Sequence, residues 1–342
     1  MPLTHAALAA HVPLAVATRG GVVESIHYGS VAIVDRNGRL LYSAGDAQTL
    51  TFTRSALKPV QALPFVAAGG IDRFEFTPQQ TALLCASHSG EPRHVDAVAD
   101  MLAKSGSSPA DLQCGAHAPG FYEARGEIPP PPPYSPLAHN CSGKHAGMLA
   151  YCAMCNQPKS EYLQFDHPLQ QTIRAAVEAF TGVARADLVS GIDGCSAPNY
   201  AVPLNRLALA YARLASADPA SSYGRAPQTL ANAMTTWPEM VSGERRSDLA
   251  LMRAGRGNWI TKIGAEGVQA IGVKSDGLGI AIKIADGQKR GLYPSIVGVL
   301  EQLHLLDARA ASELHSWGHP QISNYRGIRT GEVHSVLVLD KS

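Results

Sequence analysis

"VQAIGVKSDGLGIAIKIADG", residues 268–287, holds two β-runs around Asp276-Gly277 and reads as a hairpin. A second stretch of this kind, "SVAIVDRNGRLLYSAGD" at 30–46, alternates apolar residues around Asn37-Gly38. Asn-Gly is a strong hairpin signal because both residues tolerate positive φ. One hairpin therefore lies near each end of the chain, and the segments between them read as helices. "TFTRSALKPVQALPFVAAGG" (51–70) starts a helix near Ala56 to Lys58, since Pro59 is accepted only in a first turn, and ends it at Gly69-Gly70. Residues 77–106 form two helices broken at "SHSGEP". Further helices are expected within 143–155, 167–182, 203–216 and 292–306. Strands near both ends with helices between them predict an α+β fold. Its antiparallel sheet is built from both chain ends, with helices packed around it, and is not an alternating parallel sheet.

At 342 residues the chain is long for one domain, and it is expected to be one catalytic unit, 1–342, or two intimately packed lobes. The residues are 45% apolar and 17% charged, enough for a substantial core and against disorder. The net charge is +1 with Lys and Arg scattered, which argues against nucleic acid or an anionic membrane as partner. No apolar run is long enough to span a bilayer. The N-terminal "MPLTHAALAAHVPLAVATRGG" carries Ala15-Val16-Ala17, which resembles a cleavage site. It lacks an early Lys or Arg and is interrupted by His11 and Pro13, so it reads as mature sequence of a cytoplasmic protein. "GEIPPPPPYSP" (126–136) must be an extended surface loop, here within one fold.

Three constellations carry chemistry. In "RSALKP", Ser55 and Lys58 are three residues apart at a helix start, which puts hydroxyl and amine on one face. Lysine can serve as the base that activates a serine if its surroundings favour the neutral amine. In "CASHSGE", Ser87, His88 and Ser89 occupy a turn between apolar segments, where both capping and catalysis are plausible roles. The third is "HNCSGKHAGMLAYCAMC" (139–155) joined to "SGIDGCSAPNY" (190–200). Cys141, Lys144 and His145 share a helix face, and Asp193 and Cys195 lie on a Gly-bracketed turn far off in sequence. Such a set suits zinc, although the spacing matches no zinc finger. A Cys141–His145 nucleophile pair is the less fitting reading, because a catalytic cysteine usually has its histidine distant in sequence. Cys152 and Cys155, mid-helix among Ala, Met and Tyr, read as core.

Taken together, "GGVVESIHYG", "RSALKPVQALP", "CASHSGEPRH", "NCSGKHAGML", "DGCSAPNYAVPL", "WPEMVSGE" and "KIGAEGVQAIGVK" resemble the L-asparaginase II family of the Rhizobium type, in the family's order, from about Arg19 to Gly331. The resemblance implies hydrolysis of asparagine to aspartate and ammonia on a fold similar to serine β-lactamases and serine-dependent glutaminases. It implies two serine–lysine pairs, Ser55 with Lys58 and Ser87 with Lys262, and substrate contacts from Arg54, His88, Asp193 and Gly264. It also implies zinc at Cys141, Lys144 and Cys195, with His145 close by, and a homodimer. Where some members carry a further cysteine this chain has Asp248, whose oxygen would replace a sulfur ligand or stand just outside the metal. The alternatives are a glutaminase or other serine amidohydrolase on the same scaffold, and a non-catalytic zinc or amino-acid binding protein. The further Ser-Asp-Asn and Lys-Thr-Gly signatures of β-lactamases are not evident.

Overall fold

The computed structural model describes residues 9–216 and 221–342. Its strands are β1 (Val12–Arg19), β2 (Val22–Val34), β3 (Leu40–Ala44), β4 (Leu50–Phe52), β5 (Val189–Ile192), β6 (Pro198–Pro203), β7 (Trp259–Gly264), β8 (Val268–Val273), β9 (Leu278–Ile284), β10 (Gln321–Ser323), β11 (Arg329–Ser335) and β12 (Asp340–Lys341). Nine of them form one sheet, ordered β10-β11-β1-β2-β9-β8-β7, with β3 on β2 and β12 on β3. Every pair is antiparallel, so the sheet joins the two ends of the chain as expected. Both anticipated hairpins are present, β2–β3 across Asn37-Gly38 and β8–β9 across Asp276-Gly277. A separate three-stranded sheet, β4-β6-β5, lies beside it.

Side-chain size divides the layers. In β2, β8 and β9 the positions Val31, Ile33, Ile271, Ile280 and Ile282 point into one core. That core also holds Leu292, Ile296 and Leu300 of the helix Lys289–Gln302. The alternate positions Ala32, Ala270 and Ala281 enter the other core with Leu204, Leu207 and Ala208 of the helix Leu204–Ser216. Small residues on that face let the helix come close. A Cβ on Gly279 would lie 1.8 Å from the Ala208 carbonyl oxygen, so no larger residue fits there. With both faces covered, β8 is buried throughout and β9 and the second half of β2 nearly so, which explains their nearly unbroken apolar runs.

The predicted helices form at Lys58–Ala67, Pro78–Leu83, Pro92–Lys104, Ser142–Met154, Pro168–Thr181, Leu204–Ser216 and Lys289–Gln302. The polyproline stretch is an exposed loop. Ala15, Val16 and Ala17 form the buried middle of β1, so the cleavage-like triplet is part of the sheet, while residues 1–8 of that segment lie outside the described residues. Cys152 is fully buried, but Cys155 is exposed, because it caps the C-terminal end of its helix rather than lying within it. Among the described residues no helix is long and apolar enough to cross a membrane.

Candidate active site

Ser55 lies on a single 3-10 turn, Arg54–Leu57, between β4 and the helix Lys58–Ala67. It is half-buried, whereas Lys58 is fully enclosed. The Lys58 Nζ donates to Ser87 Oγ at 2.9 Å, to the Ala86 carbonyl, and to the Asn140 carbonyl at 3.4 Å. The turn that brings Ser87 there follows the capped helix Pro78–Leu83 and is fixed by the Ser87 N–H on the Val241 carbonyl. This pairing differs from the expected one. Lys58 reaches Ser87, and among the described residues no hydrogen bond joins its amine to Ser55. The 3-10 turn runs directly into the helix, and the Lys58 N–H donates to the Ser55 carbonyl, but the lysine amine is taken up by Ser87 and two backbone carbonyls.

Lys262, buried in β7, is likewise not bonded to Ser87. Its Nζ donates to Asp248 Oδ2 at 3.3 Å and to the Ile263 carbonyl at 2.8 Å. Asp248 is enclosed in the helix Ser247–Ala254, and its oxygens also accept from Thr261 Oγ1, the Ile263 N–H and Gln269 Nε2. This corrects its expected metal role: all its bonds go to β7 and β8, and none to the cysteine cluster. Burial pushes Lys262 down to about 8, with Asp248 opposing and Lys58 reinforcing the shift. For Asp248 burial acts upward, but the Lys262 charge and the hydrogen bonds outweigh it and hold the carboxyl below its ordinary value. Cys85, acted on by both lysines, is pushed up to about 12 by burial.

The helix Ser142–Met154 and the Asp193–Ala197 turn carry the third group. Lys144 Nζ lies 3.1 Å from Cys195 Sγ. The Cys141 thiol donates to Cys195, and this bond holds Cys195 well below the ordinary thiol range and raises Cys141. Burial lowers Lys144, but the two sulfurs outweigh it and keep the amine above its ordinary value. His145 Nδ1 meets Tyr162 Oη at 2.7 Å, its Nε2 is buried without a partner, and burial pushes its pKa down to about 4. Two sulfurs and an amine suit a soft or borderline ion such as zinc. Among the described residues no three His, Cys, Asp or Glu side chains converge at metal-binding geometry. The donors that fit such an ion are Cys141 and Cys195, with the His145 ring interacting with Cys195 and the Lys144 amine beside it, which must give up its proton to ligate.

Of the expected substrate contacts, Arg54 is partly exposed, and its Nε donates to Asp193 Oδ1 at 2.8 Å. Asp193 also acts electrostatically on Lys144, so the Ser55 turn adjoins the cysteine cluster. Gly264 lies against the same turn, where a Cβ would sit 3.0 Å from the Thr53 carbonyl oxygen and 3.4 Å from Arg54 Cβ. His88 is different, because it is buried and both ring nitrogens are used. Nδ1 accepts from the Gly90 N–H, so Nε2 carries the proton and donates to Ser142 Oγ, which in turn donates to the Leu137 carbonyl. Burial holds its pKa well below the ordinary value. His88 thus braces the loop as a neutral ring and leaves no nitrogen for substrate. A surface trough of about 400 Å³ opens beside Arg54, between Phe52, Ile192, Glu266 and Lys283. The larger cavity of about 720 Å³, between Arg36, Phe180, Arg213 and Tyr223, is lined by none of these site residues. Asn140, Tyr162 and Asn199 are site residues that the sequence reading missed, because one acts through its carbonyl and the others through contacts distant in sequence.

The antiparallel sheet thus gathers serines, lysines and cysteines from distant segments into one buried region. Residues 15–335 match the sequence profile of the family described as L-asparaginase II, and the chain belongs to that family. It is accordingly an asparaginase-type amidohydrolase acting on a small molecule. No curated protein matches the sequence. Among solved structures, the chain is similar to a candidate beta-lactamase from Bacteroides dorei DSM 17855, with 14% identity and a TM-score of 0.40 over 80% of this chain and 93% of that one. It is also similar to Mglu in its native form, with 16% identity and a TM-score of 0.37 over 82% of this chain and 65% of that one. A second Mglu structure, in 4.3 M NaCl, gives 17% identity and a TM-score of 0.35 over 83% of this chain. This chain covers 60% of the latter protein's length.

Proposed function

We propose that this protein is an L-asparaginase that works by serine–lysine acyl transfer. The observation that carries the reading is the buried lysine amine of Lys58 bonded to Ser87 Oγ, next to the half-buried Ser55 on its turn. Ser55 attacks the side-chain carboxamide carbon of asparagine and forms an ester. The Lys58–Ser87 unit takes the hydroxyl proton and delivers it to the departing ammonia. Water, activated by the same unit, then hydrolyses the ester to aspartate and restores Ser55. Lys262, held by Asp248, places a positive group near the Lys58–Ser87 unit and helps the site carry the negative charge that develops on the carbonyl oxygen. Arg54 and Asp193 face the substrate, and Gly264 leaves room beside them. Cys141, Lys144 and Cys195 would hold zinc, which when bound supplies a positive centre for the α-amino or α-carboxylate group of a free amino acid.

The same machinery supports a glutaminase, because a Lys-activated serine does not choose between side chains one methylene apart. Ammonia release measured with asparagine and with glutamine tests the reading. Faster turnover of asparagine supports it, faster turnover of glutamine replaces it, and release from neither leaves a binding protein. The chain is taken as one catalytic unit, cytoplasmic and homodimeric. Light scattering of the purified protein tests the dimer.

A further inference from the structure

The Ser55 turn is held by a residue outside the catalytic set. Arg54 has φ +48°, a left-handed conformation that costs free energy for a residue with a side chain. Up to Thr53 the backbone of β4 is paired with β6: Phe52 stands opposite Ala201, and the Thr53 N–H donates to the Tyr200 carbonyl. At Arg54 the chain turns away, and the ladder is continued by a side chain. Asn199 Oδ1 accepts the Arg54 N–H at 3.1 Å, and Asn199 Nδ2 donates to the Arg54 carbonyl at 3.2 Å. A primary amide matches both groups of a peptide unit, so it replaces the missing rung of the sheet. Asn199 is 2% exposed and is held in β6, so the amide is presented to the turn from the sheet. The guanidinium of Arg54 reaches Asp193 on the turn before β6, so the residue is gripped at backbone and side chain by one hairpin. The chain then enters the Ser55 turn and the Lys58 helix directly. A strained strand-to-helix turn is a known way to present a nucleophilic hydroxyl.

We infer that Asn199 is a positioning residue for Ser55, acting by holding Arg54 in its left-handed conformation. This rests on the reading of Ser55 as nucleophile. A displacement of the nucleophile by about 1 Å can cost about 100-fold in rate while substrate still binds.

The test is a double-mutant cycle of Asn199→Ala and Arg54→Gly, read by asparagine turnover and by urea unfolding. Glycine adopts positive φ at no steric cost, so it removes the need for the clamp. Folded N199A is expected to lose at least about tenfold in kcat, with KM changed less than about threefold. Adding N199A to R54G is expected to lower kcat less than about threefold further. An equal loss in both backgrounds, or unchanged kcat in N199A, overturns the inference. If N199A does not fold, Asn199→Asp takes its place in the cycle, since it keeps the acceptor but loses the donor, with the same outcomes. If the wild-type protein releases no ammonia from asparagine, the functional reading falls first. The clamp is then judged by unfolding alone: a smaller loss of urea midpoint in the R54G background supports it, and an equal loss overturns it.

Discussion

Ser55 and Ser87 are separated by their surroundings: one is half-buried on a turn, and the other is enclosed and bonded to Lys58. Loss of the attacking hydroxyl should cost at least about 10³-fold in kcat, and Ser55→Ala is expected to show this with its fold intact. Ser87→Ala should also be slow, because Lys58 loses its partner. Trapping the acyl-enzyme and locating it by mass spectrometry separates the two, and an ester on Ser87 would exchange their roles. Lys262 and Asp248 give a pH-dependent prediction. Burial lowers Lys262 from 10.5 to about 8. Across that window the unfolded chain binds a proton that the folded chain does not, so this group's contribution to stability rises with pH from about 8 to 10.5. Below it Lys262 is charged, and Asp248 offsets that charge. Asp248→Asn should therefore destabilise by about 3 kcal/mol or more at pH 6, the cost of a buried unpaired charge. At pH 9, where Lys262 is mostly neutral, the loss should be smaller. Urea unfolding of both proteins at the two pH values measures this, and an equal loss at both would show that Lys262 does not titrate there.

Elements meet here through graded side-chain size. The helix Leu204–Ser216 lies on the Ala and Gly face of β8 and β9, and Gly279 is its point of closest approach. Gly279→Val would drive its side chain into the Ala208 carbonyl, so the helix must lift and open a void beneath it. A loss of at least about 3 kcal/mol is expected, as for overpacking that also forces backbone shifts. Gly277→Ala, in the hairpin turn at φ +62° with only Ser216 Oγ nearby, should cost about 1 kcal/mol for conformation alone. Urea midpoints of the two variants compare these effects directly, and a G279V no less stable than G277A would mean the helix can shift freely on the sheet.

The whole molecule closes its site from segments far apart in the chain: Ser55 and Lys58, Ser87, the Cys141 helix, the Cys195 turn, and Lys262 in β7. Zinc held by Cys141 and Cys195 would tie two of these segments together, and an ion that binds only the folded state stabilises it, by about 2.7 kcal/mol at 100 times its Kd. About one zinc per chain is expected by elemental analysis at pH 8, with a rise in Tm on adding zinc. Cys195→Ser should lose both. A wild-type protein that takes up no zinc with its thiols reduced would leave Lys144, Cys141 and Cys195 as a buried hydrogen-bonded cluster.

The hairpins at Asn37-Gly38 and Asp276-Gly277, the helix start near Lys58, the helix break at residues 87–92, and the sheet shared by both ends were legible in the sequence, because period, turn chemistry and proline act over a few residues. So were the residue types of the site, since Ser-x-x-Lys and the cysteine segments are local patterns. Their partners were not legible. Ser-x-x-Lys suggested a pair, yet the Lys58 amine is bonded to Ser87 from a segment distant in sequence. Asp248 aligned with a cysteine, yet β7 brings Lys262 against it. His88 stood among catalytic candidates, yet Gly90 and Ser142 take both its nitrogens. Nothing near Asn199 in sequence indicates that it completes the ladder at Arg54. Local sequence determines which segments can be strand, turn or helix. Which amine meets which hydroxyl or carboxylate is decided only when the sheet and its helices pack, because those contacts join residues that the chain itself keeps far apart.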